Sequence, residues 1–87
     1  MSTPKGYQQI TTLSSSTSLT VPAASTSALI SVEGPNVRWR DDMTAPTASV
    51  GMPMYAGAVP QLFTTDLSAL RFIHVATGAI LNVSYYS

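Results

Sequence analysis

The sequence predicts an all-β protein: a single small antiparallel β-sandwich or barrel-like domain of short strands with a C-terminal β-hairpin. Three observations carry that expectation. Ser and Thr fill 23 of the 87 positions and Ala ten more, while 45% of the residues are apolar, too large a share for a disordered chain. Turn signals return every 8–14 residues, at 14–16, 22–26, Gly34-Pro35-Asn36, 41–47, Gly57, Thr65-Asp66 and Thr77-Gly78, the rhythm of a sandwich or small barrel. Between the turns, apolar and polar residues alternate, as they do along a half-buried strand.

Taken in order, residues 1–6 form an extended N-terminal arm on a single domain, 1–87. Residues 7–13 and 18–21 alternate loosely and suit a first hairpin across 14–17. Residues 28–33, Ala-Leu-Ile-Ser-Val-Glu, read as a firmer strand with Ile30 and Val32 on one side. Pro35 ends it, because proline has no N–H to give a central ladder. Residues 37–41 follow, with Val37 and Trp39 on one face and Arg38 and Arg40 on the other. Residues 42–49 form a loop holding Pro46. Short strands at 50–55 and 61–64 flank Gly57 and Pro60.

The last 22 residues are patterned most clearly. Residues 70–76 and 79–86 flank Thr77-Gly78 at hairpin spacing. A two-residue loop sets Leu70, Phe72 and His74 opposite Tyr85, Val83 and Leu81; a one-residue slip swaps the faces. Asp66 is placed to cap a helical turn at Leu67-Ser68-Ala69. The competing arrangement is a helix over 66–76, since Leu67, Leu70 and Ile73 lie three apart. The β-branched residues favour the hairpin.

Composition narrows the function. Only 9% of residues are charged, four of each sign, against about 25% in an average domain. No basic excess exists to neutralise phosphates, which argues against nucleic acid as a partner. With no cysteine and one histidine, thiolate chemistry and His-rich metal sites are excluded, and no cofactor is expected. Met1–Gly6 lacks the apolar run of a signal peptide. The longest apolar stretches, about four residues, fall far short of a membrane span. The expectation is a soluble, non-enzymatic protein made in a cytoplasm. Neutral chains with so few charges tend to associate, so this one reads as a subunit.

The densest charged segment is Val37-Arg38-Trp39-Arg40-Asp41-Asp42. Trp and Arg are enriched at binding hot spots; against that, a lone Trp is usually a core anchor, with Arg38 and Arg40 paired to Asp41, Asp42 or Glu33. Asp41 and Asp42 point to opposite sides and suit turn chemistry better than a cation. Ser68, His74 and Asp66 lack a nucleophile elbow, so His74 reads as a wall residue. Met52, Met54 and Tyr55, on a segment broken by Pro53, suit an adaptable edge. Of Tyr85 and Tyr86, one ring must face outward; Tyr86 is assigned to the surface. The uncharged segment 7–21 is open to strand addition.

Several runs also resemble a family. Val37-Arg38-Trp39-Arg40-Asp41-Asp42, Thr44-Ala45-Pro46-Thr47-Ala48 and Val50-Gly51-Met52-Pro53 resemble segments of small virion proteins of tailed bacteriophages. So do Asp66-Leu67-Ser68-Ala69-Leu70-Arg71-Phe72-Ile73 and Leu81-Asn82-Val83-Ser84-Tyr85-Tyr86. The resemblance spans positions 28–86. It implies a structural role in the virion, first of all a capsid decoration (cement) subunit bridging major capsid proteins or other virion subunits, as a homo-oligomer, dimer or trimer. A neck, collar or fibre-base subunit is second, and a host-surface glycan-binding module third. Contacts are assigned to Arg38, Trp39, Arg40, Met43, Met52, Met54, Tyr55 and Tyr86. One departure from the family is Met43, which stands where Gly is expected after the Asp pair.

Overall fold

The computed structural model describes residues 3–87. Its strands are β1 (Pro4–Ile10), β2 (Thr17–Ser18), β3 (Ser27–Glu33), β4 (Val37–Arg40), β5 (Met52–Met54), β6 (Gln61–Phe63), β7 (Arg71–His74) and β8 (Ile80–Tyr86), with a 3-10 turn at Leu67–Ala69. They form two four-stranded antiparallel sheets. The first runs β1-β8-β3-β6 in space and the second β2-β7-β4-β5. The chain is thus the all-β, two-sheet molecule that its alternation predicts.

Alternation also sorted the side chains correctly. On β3, Ala28, Ile30 and Val32 are buried, and on β8, Leu81, Val83 and Tyr85. Their register makes cross-strand pairs of Ala28 with Tyr85, Ile30 with Val83 and Val32 with Leu81. The small Ala28 leaves room for Tyr85 on one side and for Phe63, its partner in β6, on the other. From the second sheet, Val37, Met54 and Phe72 complete one core. Leu13, Leu19, Leu67 and Leu70, from the connections, plug its ends.

Pairing differs from the sequence expectation. β7 and β8 lie where the C-terminal hairpin was placed, yet they belong to opposite sheets, as do β1 and β2, the arms of the expected first hairpin. Six connections pass from one sheet to the other; only β4 to β5 stays within one. The reason is burial. Side by side, Phe72, Leu81 and Val83 would share one face of one sheet and still need a cover; in opposite sheets they cover each other. The competing helix over 66–76 does not form either. Asp66 Oδ1 accepts from the Ser68 amide (3.1 Å) and hydroxyl (2.6 Å), and the turn ends at Ala69. The Ser68 hydroxyl, then its amide, hold the Asp66 carboxyl below its ordinary pKa.

Residues 3–6, expected as an arm, are held in the first sheet. Pro4 pairs with Tyr86 and Gly6 with Tyr85 across a bulge, and Thr3 and Ser87 exchange backbone hydrogen bonds of 3.0 and 2.9 Å. The first two residues of that arm lie outside the described residues.

Two of the crossings meet at one corner. The β3–β4 crossing (34–36) touches the β7–β8 crossing (75–79), where the Val75 amide donates to the Asn36 carbonyl at 2.9 Å. Gly34 there has φ +76°, and a Cβ on it would lie 2.8 Å from the Gly78 carbonyl oxygen. Both the left-handed backbone and the clash with main chain exclude a side chain. Gly34→Ala should therefore lower unfolding stability by about 2 kcal/mol in urea melts.

At the far end of β8, the Tyr85 hydroxyl donates to Gln8 Oε1 (2.7 Å), which also accepts from the Thr20 amide (3.1 Å). This joins β8, β1 and the segment leaving β2. Burial pushes the Tyr85 phenol up from 10.0 to about 12. Between those values the folded chain keeps a proton that the unfolded chain has lost, so stability falls as pH rises through this window. Urea melts from pH 9 to 12 should show that alkaline loss, and Tyr85→Phe should flatten it. An unchanged slope in the variant would assign the loss to other groups.

Candidate functional site

The charged motif that stands out in the sequence lies on β4 and runs on, at Asp41 and Asp42, into the one connection that stays within a sheet, residues 41–51 between β4 and β5. β4 delivers it in strand alternation. Val37 and Trp39 turn inward, and Arg38 and Arg40 outward over the second sheet. Trp39 is half-buried and packs edge-on against Phe63 of β6, with ring centroids 4.9 Å apart and planes at 82°. It therefore anchors the two sheets to each other along this side, a core role for the lone Trp.

The two arginines build the loop. Arg40 forks onto Asp42, Nε to Oδ1 at 3.0 Å and Nη2 to Oδ2. Asp42 Oδ1 also accepts from the Thr44 amide at 3.3 Å, an Asx turn that bends the chain back. The Arg40 hydrogen bonds, and then the Thr44 amide, hold the Asp42 carboxyl below its ordinary pKa. The Asp42 carboxylate in turn raises that of Arg40. Arg38, expected to pair with a carboxylate, instead donates to two main-chain carbonyls, Ala48 (Nε, 3.2 Å) and Gly51 (Nη1, 2.8 Å). Thr47 closes the far turn, its Oγ1 accepting from the amides of Ser49 (3.3 Å) and Val50 (3.0 Å). Pro46 is buried beneath. A Cβ at Gly51 would press on Arg38 and Pro46 at 3.1 Å, so the loop lies flat on the strand.

At the tip stands Met43, with φ +66° and 70% of its surface exposed. Its backbone takes the conformation glycine adopts most cheaply. Arg40, Asp41, Asp42, Val50, Gly51 and Met52 line an open hollow of about 370 Å³ beside it.

The remaining predicted contacts divide. Met52 and Tyr55 are exposed. Tyr86 is half-buried, its hydroxyl accepting from Ser84 Oγ at 3.2 Å. Met54 is corrected: it turns inward on β5 and is core, because Met52 and Met54 share the inner face of the strand but Met54 lies opposite the fully buried Val37, while Met52 lies opposite Trp39 at the start of the strand, where the core gives out. Val50, Val59 and Leu62 are exposed as well and were missed. The available signal was the absence of any charge from Met43 to Thr65. Among the described residues, six of the eight large exposed hydrophobics fall in that stretch. They gather on one side of the sandwich, because β5 and β6 are the terminal strands of their sheets and the Trp39–Phe63 contact brings those ends together.

His74 is half-buried on β7, cross-strand from Val37. No hydrogen bond joins it to Ser68 or Asp66, whose side chains are engaged with each other at the cap. Among the described residues no three His, Asp or Glu side chains converge on a cation position, and no helix is long and apolar enough to cross a membrane. Fold and loop together define a two-sheet β-sandwich with one stiffened, apolar edge. Compared with known proteins, the chain matches no family model, no curated protein and no solved structure.

Two substitutions separate the fold's needs from the loop's. Met43→Gly should raise stability by about 0.5–1 kcal/mol, since it relieves a left-handed backbone. Arg38→Ala should lower it by about 1–2 kcal/mol through two lost charged hydrogen bonds. It should also speed hydrogen exchange at Ser49 and Val50. Unchanged exchange there would show that the loop holds its shape without Arg38.

Proposed function

We propose that this chain is a structural protein of a tailed-bacteriophage virion, and specifically a capsid decoration (cement) subunit that bridges capsid proteins as a dimer or trimer. The apolar β5–β6 edge carries the reading. An isolated domain gains nothing by presenting Met43, Val50, Met52, Tyr55, Val59 and Leu62 together to water, and apolar patches of this kind mark contact surfaces. The resemblance of the runs between positions 28 and 86 to small virion proteins supports the same conclusion.

The chemistry suits a bridging role. A standard interface takes about 800 Å² from each partner, roughly a sixth of the 4766 Å² this chain exposes. The two methionines adapt to a partner's contour, while the arginine-held loop keeps them in place, so little ordering entropy is lost on docking. A net charge of zero lets copies sit side by side on a lattice without mutual repulsion.

Copy number in purified particles tests this directly. A decoration subunit is present in hundreds of copies, comparable to the major capsid protein on a stained gel. A few to some tens of copies would move it to the neck, collar or fibre base, and absence from purified particles would overturn every virion reading. Met52→Glu with Leu62→Glu should leave the fold intact by circular dichroism and abolish incorporation.

A further inference from the structure

The outer face of the first sheet has a different character from the apolar edge. The chain's charge lies mostly elsewhere. Arg38, Arg40 and Arg71 project from the outer face of the second sheet, as register partners or near neighbours on β4 and β7, and Asp41 and Asp42 sit in the loop beside them. On the first sheet the outward positions include Tyr7 and Gln9 of β1, Asn82 and Ser84 of β8, and Ser31 and Glu33 of β3, with the apolar Ile80, Leu29 and Leu62 on the same face toward β3 and β6. Glu33 is the only charge among these outward positions. Lys5 lies at the bulge on the rim.

Tyr7 has an unusual posture. Its cross-strand partner is Ser84, but its hydroxyl donates to Asn82 Oδ1 at 2.7 Å, one step diagonally along β8. To reach it, the ring must recline along the sheet instead of standing off it, and 64% of the residue's surface stays exposed. The polar line continues past the hydroxyl. Gln9 Nε2 donates to the same Asn82 oxygen at 3.1 Å, and Asn82 Nδ2 donates to Glu33 Oε1 at 3.0 Å. The line crosses three strands, fixes Asn82 at both ends of its amide, and leaves Gln9 Oε1 and Glu33 Oε2 as open acceptors.

From this geometry we infer that the Tyr7–Gln9–Asn82–Glu33 row is a binding platform for a neutral saccharide. The C–H face of a pyranose is weakly electropositive and stacks on the electron-rich face of an aromatic ring. Its equatorial hydroxyls then lie level with the open acceptors, and a pre-set row of amides and a carboxylate orients them at little entropic cost. The row's own chemistry selects the class. Glu33, the one carboxylate in the row, repels uronic and sialic acids. An exposed Tyr with Ser and Asn around it supplies rigid contact area with adaptable hydrogen bonding. This surface is separate from the β5–β6 edge, so the two readings stand or fall independently.

The test is a ¹⁵N-resolved titration of the full chain with maltohexaose, cellohexaose and chitohexaose at millimolar concentrations. At least one should shift the Gln9, Asn82 and Ser84 signals in a saturable way. Tyr7→Ala should weaken that binding roughly tenfold, through loss of the stacked ring. Tyr7→Phe, which keeps the ring and loses its anchor to Asn82, should weaken it about threefold. Tyr55→Ala, on the other edge, should leave it unchanged. Silence at the platform with all three sugars overturns the inference. So do shifts centred on Tyr55 or Trp39, or equal binding by the wild type and Tyr7→Ala.

Discussion

The corner where Gly34 meets Gly78 governs how this chain folds. Two crossings share it, one leaving the first sheet after β3 and one returning to it before β8. The main chains approach so closely that a Cβ at Gly34 would collide with the Gly78 carbonyl. That contact fixes where β4 and β7 enter the second sheet relative to β3 and β8 in the first. β3–β8 and β4–β7 are the central pairs of their sheets, and their inner side chains supply most of the core. A core this small has no redundancy: an 87-residue domain buries only about three-fifths of what its unfolded chain exposes.

With burial secured by that arrangement, the few charges are released from any duty in the interior. Among the described residues no buried side chain is charged. Arg38 and Arg40 spend their donors on a single loop, one through main-chain carbonyls and the other through Asp42. The loop is thereby stiff although it contains no regular structure. Its tip residue, Met43, sits in a backbone conformation that costs on the order of 1 kcal/mol for a side chain, and among the described residues it is one of two non-glycine residues with positive φ, the other being Ala24. The loop is shaped against local preference and held so by its arginines. Together with the exposed residues of β5 and β6, that makes this edge the surface on which the proposed assembly role depends.

The two faces of the sandwich differ for a reason that lies in β-strand alternation. Each strand sends one set of side chains into the shared core and the other to its own sheet's outer face, and the outward sets are unlike. The second sheet receives the arginines, and the first receives Tyr, Ser, Asn and Gln on β1 and β8 with Leu29 and Leu62 toward β6. An apolar edge and a polar row across β1, β8 and β3 thus coexist on a very small molecule without sharing residues.

Sequence alone determined the fold class, the positions of most turns, the capping role of Asp66 and the inward set on β3, β4 and β8. These follow from two-residue alternation and from turn chemistry, both local. It also marked residues 37–55 as the segment to watch, because charge and methionine cluster there. It did not determine which strands pair, and both expected hairpins failed for that reason. Alternation says which side chains leave the strand toward the core, and it is the same whether the next strand lies alongside or across the interior. Likewise, the partners of Arg38, the depth of Met54 and the reclining ring of Tyr7 depend on residues 10 to 75 positions away in the chain, or on where the sheet ends. Only packing decided those, since it alone brings such distant positions within contact distance.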